Sequence, residues 1–185
     1  VQFVASVDII VRVLQACVDE RRTVIPYYLA GDIDNHASGR TRRKNHAEEQ
    51  RAMQRVRDGL QRAFPEAARR LQPLVVVDDV PISKSTRAAM RTLHANKVVR
   101  RRTCQYGSLG EYSLRLGQPV EIGIVRDGHS NAGIYYGVHD KVAGVGASCR
   151  LTADAIARHP EYALFRNCVF PLMHLDKAEM LRIAT

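Results

Sequence analysis

Apolar residues at Val7, Ile10, Val11, Leu14 and Val18 recur every three or four positions. That spacing lines one face of a helix, so the chain from about 4 to 20 is expected to form an amphipathic helix. Residues 24–30 read as a buried strand, with Pro26 near its start, where a missing N–H costs little. Met53, Val56, Leu60 and Phe64 mark the inner face of a second helix over roughly 47–63, which Pro65 ends. Leu74-Val75-Val76-Val77 is a short continuous apolar strand that runs straight into Asp78-Asp79. A third helix is expected over 84–95, with Met90 and Leu93 inward. The glycine-containing stretch from Cys104 to Gly117 reads as loop or hairpin. Val120 to Val125 and Ile134 to Val138 read as two strands flanking the polar turn Asp127-Gly128-His129-Ser130-Asn131. Helices are expected again near 152–159 and 176–184. No internal repeat or low-complexity linker interrupts this order. The simplest organisation is an N-terminal helix over 1–23 followed by a single mixed α/β (α+β) domain over 24–185.

A chain of 185 residues can bury a core without covalent staples. Its four cysteines (Cys17, Cys104, Cys149, Cys168) show no C-x-x-C spacing, which suits the reduced, mostly buried thiols of a cytoplasmic protein. Asp8, Arg12 and Asp19 interrupt the N-terminal apolar run, so no membrane span is expected. That run also lacks the basic flank and cleavage site of a signal peptide. The chain starts at Val1 rather than methionine and is read as a fragment or a processed product.

Net charge changes the picture more. The formal charge is +9, and basic residues outnumber acids chiefly between His36 and Arg102. Two clusters stand out: Arg40-Thr41-Arg42-Arg43-Lys44 and Arg100-Arg101-Arg102. This asymmetry points to a polyanionic partner, whether nucleotide phosphates, RNA or an acidic protein. The basic zone holds few aromatics and the chain has no tryptophan, so no base-stacking platform is legible.

The chemistry-bearing residues lie where apolar runs end in acid. Tyr27-Tyr28-Leu29-Ala30-Gly31 leads into Asp32-Ile33-Asp34-Asn35, and Val75-Val76-Val77 leads into Asp78-Asp79. Carboxylates delivered by the ends of neighbouring strands can converge on Mg²⁺, a hard ion that takes one or two carboxylates together with phosphate oxygens. Asp32 with Asp78 or Asp79 would form that pair, with Asp34 auxiliary. The same residues also suit a polar turn after one strand and a helix-start charge after the other. None of the seven histidines has a paired ligand spacing. No phosphate loop of the Walker type, dinucleotide fingerprint or nucleophile elbow is present.

Three segments resemble the palm-like catalytic domain of class III nucleotidyl cyclases and related GGDEF-type proteins. Leu29-Ala30-Gly31-Asp32-Ile33 is similar to that family's first metal strand. Val120-Glu121-Ile122-Gly123-Ile124-Val125, with Gly133 and Gly137, resembles its Gly-Ile hairpin. Val145-Gly146-Ala147-Ser148-Cys149-Arg150-Leu151 is similar to its Val-Asn-x-Ala-x-Arg-Leu helix. The resemblance spans roughly 24–160 and implies a palm-like (ferredoxin-like) sheet with helices packed on it. It also implies metal ligation by Asp32, a second metal aspartate at Asp78 or Asp79, and a catalytic role for Arg150 at the reacting phosphorus. The chain departs from the pattern at Gly146, where the family has asparagine, and at Val77-Asp78-Asp79, where it has Gly-Asp. Leu74 and Val75 stand where a base-reading lysine is expected.

The resulting expectation is a diverged cyclase-like domain that binds a nucleoside triphosphate with Mg²⁺ or Mn²⁺, with phosphodiester formation as its further activity. Two other readings stay open. One is an RNA-binding domain whose Arg40, Arg42, Arg43, Lys44, Arg100, Arg101 and Arg102 contact phosphates. The other is a non-catalytic module for homodimerisation or partner docking.

Overall fold

A computed structural model describes residues 7–31, 46–99, 105–126 and 133–184. Helix α1 (Val7–Leu14) continues through a π-helical turn, Gln15–Asp19, which closes with Glu20 N–H donating to Gln15 O at 2.8 Å. This helix is buried on two sides. Val11 packs with Leu172 and Met180, while Val13, Ala16 and Cys17 pack with Val24, Leu60 and Leu71. Ile10, expected inward, is 39% exposed. Burying opposite flanks of the helix turns the expected single apolar stripe away from that position.

Strand β1 (Tyr27–Leu29) follows, then α2 (His46–Ala63) and the short α3 (Pro65–Ala68). Pro65 ends α2 and opens α3, because a first-turn residue needs no donated N–H. Strand β2 (Val75–Val77) then pairs with β1 in parallel, with Tyr27 opposite Val75 and Leu29 opposite Val77. An isolated parallel bridge, Val24 to Leu71, precedes the pair. Although its sequence is wholly apolar, β2 is an edge, with Val75 39% and Val76 40% exposed and Val77 facing the main core.

Helix α4 (Lys84–Ala95) starts at Ser83, whose hydroxyl accepts from Thr86 N–H, and it buries Met90 and Leu93. The next segment is helical, not a loop or hairpin: α5 spans Gln105–Leu116. Its glycines serve close packing rather than turning. A Cβ on Gly110 would lie 2.4 Å from Leu164 Cγ, so only glycine lets α5 approach the turn at Pro160–Phe165 this closely.

Strand β3 (Val120–Glu121) is shorter than the expected 120–125, and it pairs in parallel with β6 (Cys168–Val169). Residues 134–138, expected as a strand, form helix α6 (Ile134–Val138). Gly133 enters it at φ 120°, and a Cβ on Gly137 would meet Val98 Cγ1 at 2.3 Å. The Gly-Ile segments therefore make no hairpin: β3 has a distant parallel partner and Ile134 opens a helix. The turn 127–131 lies outside the described residues.

Strands β4 (Val142–Ala143) and β5 (Arg150–Leu151) form an antiparallel pair around a 3₁₀ turn at Gly146–Ser148. Residues 145–151, likened to a helix, thus form turn and strand. Helices α7 (Ala153–Arg158) and α8 (Lys177–Ala184) follow the expected positions, and α8 packs on α1.

The described fold is α+β, with three two-stranded pairings among a larger helical content. Its largest core joins Leu29, Val80, Met90, Leu93, Leu109 and Phe165, among others. Cys17, Cys149 and Cys168 are buried free thiols, and burial raises the pKa of each, Cys168 to about 12. No helix among the described residues is long and apolar enough to cross a membrane.

Candidate functional site

The parallel register brings the C-terminal ends of β1 and β2 to one place. Ala30 N–H donates to Val77 O at 2.8 Å, carrying the ladder one residue past β1. At Gly31 the two segments approach tightly: a Cβ there would lie 2.8 Å from Asp78 O and 3.7 Å from Asp79 Cα. Contact with backbone cannot be relieved by a rotamer change, so glycine is required at this crossing. Asp78 and Asp79 are exposed at this mouth. Asp32 is the residue that follows Gly31. Both Asp32 and Asp34 lie outside the described residues, so only half of the expected carboxylate set has a position. Among the described residues, no three of His, Cys, Asp or Glu gather as a metal site. The two placed carboxylates are hard oxygen donors at a solvent-open strand end, the donor type and setting that Mg²⁺ or Mn²⁺ accepts.

The loop after Asp79 is held from below by a residue that sequence reasoning passed over. Glu111 on α5 is buried, and its Oε2 accepts from Ser83 N–H at 3.1 Å and from Ser83 Oγ at 2.7 Å. Arg115 Nε donates to the other carboxylate oxygen at 3.3 Å, and its Nη2 donates to Pro81 O. Burial opposes ionisation of Glu111, but bonds from the Thr86 and Ser83 hydroxyls, the Ser83 N–H and Arg115 outweigh it. The carboxyl is therefore held below its usual range. This anchor fixes the start of α4 directly after the acidic pair. Only the capping Ser83 with Thr86 three residues on gave a sequence signal, since Glu111 sat in a stretch read as loop.

Arg150 belongs to a different strand pair. It is exposed on β5, across from Ala143 of β4, and β5 packs on β6. Neither β4 nor β5 pairs with β1 or β2, so no sheet joins Arg150 to Asp78 and Asp79. Arg40, Arg42, Arg43, Lys44, Arg100, Arg101 and Arg102 lie outside the described residues. Other arginines of the basic zone do have positions. Arg51, Arg55 and Arg62 are exposed on α2, and Arg87 and Arg91 are exposed one turn apart on α4.

A second charged centre is structural. Arg12, only 2% exposed, donates from Nε and Nη2 to Glu121 at 2.6 and 3.0 Å, and from Nη1 and Nη2 to Glu20 at 2.5 and 3.0 Å. Arg22 closes the set by bonding Glu20 at 3.0 Å and Glu121 at 2.8 Å. The Arg12 hydrogen bond pulls the Glu20 carboxyl down to about 2 against the cost of its partial burial. Burial acts against the Glu121 charge most strongly, yet Arg12 and Arg22 together still hold its pKa below the ordinary value. The sequence presented Arg12 only as an interruption of an apolar run, whereas the fold uses it to tie α1 to β3. Comparison with protein-family models, with curated proteins and with solved structures finds no match to this chain.

Proposed function

We propose that this chain binds a nucleoside triphosphate, together with Mg²⁺ or Mn²⁺, at the mouth formed by the C-terminal ends of β1 and β2. The observation that carries the reading is the parallel pair itself, with Gly31 abutting Asp78 where both strands run into acid. Ligands of parallel α/β units bind outside the carboxyl ends of the strands, where loops and helix starts converge. Asp78 and Asp79 would hold the ion with Asp32, and Asp34 would assist. The ion would neutralise phosphate charge and polarise a phosphoryl oxygen. The finer reading is a diverged palm-like, cyclase-like domain that forms phosphodiester bonds. It rests on the Leu29–Ile33 resemblance and on this strand mouth, and the role of Arg150 rests on the resemblance alone.

Thermal unfolding with ATP or GTP, with and without Mg²⁺ or Mn²⁺, tests the reading on the wild type, Asp32→Ala and Asp78→Asn/Asp79→Asn. A ligand that binds only the folded state raises Tm with its occupancy. Metal-dependent stabilisation in the wild type that is lost in both variants is the expected result. Absence of any nucleotide shift in the wild type overturns the proposal.

A second reading, RNA binding without catalysis, is favoured by the exposed arginine rows on α2 and α4. It predicts RNA affinity that falls steeply with salt, and a shallower slope when Arg51, Arg55 and Arg62 or Arg100, Arg101 and Arg102 are replaced. If neither ligand binds, homodimerisation or partner docking is the remaining reading, and sedimentation reads the first of these directly.

A further inference from the structure

The opposite end of the β1–β2 pair holds a cavity of about 310 Å³. It opens between the first helix, α2 and the chain entering the two strands, at the end of this three-residue pair opposite the acidic mouth. Val13, Met53, Val56, Leu71 and Leu74 supply an apolar wall. Pro26 and Pro73 add flat, rigid ring faces at the start of each strand approach. The polar groups are few. Gln54 Nε2 is held by Asp58 at 2.8 Å, which leaves its amide oxygen as acceptor, and the Gln50 amide stands one turn away. Arg57 is the cation in the lining, and its terminal nitrogens are already turned onto Leu71 O at 2.9 Å and onto Gln72 O. That pair of bonds ties α2 to the approach of β2 and props the wall, so the space is built rather than a gap between loose chains.

We propose that this cavity binds a small, uncharged, bicyclic aromatic molecule that carries one hydrogen-bond donor. Volume sets the size: an apolar protein cavity of ~150 Å³ holds a single benzene ring, and this one has about twice that space. The wall sets the polarity. A pocket that is mostly apolar with a few amides takes an apolar body and reads one polar group. Met53 favours an aromatic occupant, because a thioether packs well on ring edges. Arg57 spends two of its five N–H donors on backbone carbonyls, and it is the apolar wall that favours a neutral body, because a carboxylate set against it loses hydration. The ligand's donor meets the amide oxygen of Gln54. The site is independent of the proposed nucleotide site, which lies at the other end of the same strands.

Indole is the probe, with indole-3-acetate as its charged counterpart, titrated by calorimetry and thermal unfolding against the full chain. Indole is expected to bind with a Kd on the order of 0.1–1 mM, as suits a ligand of so few atoms, and indole-3-acetate about tenfold or more weaker. Val56→Trp and Leu74→Trp each fill the cavity and are expected to weaken indole at least ~10-fold while the chain stays folded. Amide shifts in ¹H–¹⁵N spectra of the wild type, confined to α2, Ile25, Tyr27, Leu71, Gln72 and Leu74, give the same answer if the filled variants fail to fold. Three results overturn the proposal. They are no indole binding up to ~5 mM, equal binding to wild type and a folded filled variant, or spectral shifts centred away from these segments.

Discussion

Glu121 on β3 and the Asp78-Asp79 pair after β2 are acids at the ends of short parallel strands, yet their surroundings have little in common. Glu121 is buried and bridged by Arg12 and Arg22, with Glu20 sharing both arginines. Asp78 and Asp79 stand exposed beside the tight Gly31 crossing. A buried carboxylate survives only with cations or hydrogen-bond donors that repay its desolvation, so its partners belong to the fold. An exposed carboxylate pair costs the fold little and stays accessible to an ion from solvent. The contrast sets acids closed off among arginines against acids that solvent reaches, and the predictions made on these acids each act on one side of it.

The largest effect is expected at the buried node. Arg12→Met removes one partner and leaves Glu121 buried with a single half-exposed arginine. Breaking a buried pair from one side typically costs about 3–5 kcal/mol. Urea denaturation of the variant should show a fall of that size with an unchanged m-value. A loss under ~1 kcal/mol would mean that water reaches Glu121 and that the node is a surface pair after all.

Next in size is Gly110→Ala on α5. The added Cβ meets Leu164 Cγ at 2.4 Å and the Leu164 carbonyl oxygen at 2.8 Å, so the helix and the Pro160–Phe165 turn must separate. Overpacking of this kind costs about 1–3 kcal/mol, against a gain of up to ~1 kcal/mol in helix propensity. Denaturation midpoints decide which wins, and a stabilised variant would contradict the close approach of α5.

Acid should find the node as well. The Glu20 carboxyl titrates near 2 in the folded chain against 4.5 as its ordinary value, and Glu121 is lowered too. Folded-state pKa values depressed in this way give stability that is fully present above pH ~4.5 and is lost as pH falls toward ~2. Glu20→Gln should lower stability at pH 7 and flatten the slope over that window. Parallel pH profiles for variant and wild type would remove Glu20 from the account.

These elements also show what the sequence could and could not disclose. The helices expected over 47–63 and 84–95 were legible because apolar residues recur in them at helical spacing. Both strands of the β1–β2 pair were legible as apolar runs ending in acid. Their parallel register was not, because pairing depends on what the intervening helices pack against. The segment 105–116 was misread because glycine marks turns in most sequences, and 134–138 because a short apolar run reads as a strand. Here Gly110 and Gly137 are the points where a helix touches Leu164 and Val98. With α5 read as loop, the Glu111 anchor beneath the candidate site could not be seen. Arg12 was visible only as a charge in an apolar stretch, since its partners are 8 and 109 residues away. The segment likened to a cyclase helix carried permissive small residues at 146–148, and these close a 3₁₀ turn as readily as they continue a helix.

The smallest effect on stability, and the most informative for function, is expected at Asp78 and Asp79. Asp78→Asn with Asp79→Asn keeps the volume of both side chains and acts on exposed groups, so the unfolding free energy should move by no more than about 0.5 kcal/mol. The same double change should abolish the Mg²⁺-dependent rise in Tm with ATP or GTP. Gly31→Ala separates geometry from charge. Its Cβ would press on Asp78 O at 2.8 Å, displacing the mouth while leaving every carboxylate in the chain. If both variants lose the metal-dependent shift, the site needs charge and crossing together. If Gly31→Ala keeps the shift and the double asparagine loses it, the carboxylates act without the strand crossing. A double asparagine variant that melts well below wild type would move Asp78 and Asp79 to the structural side of the comparison, beside Glu121.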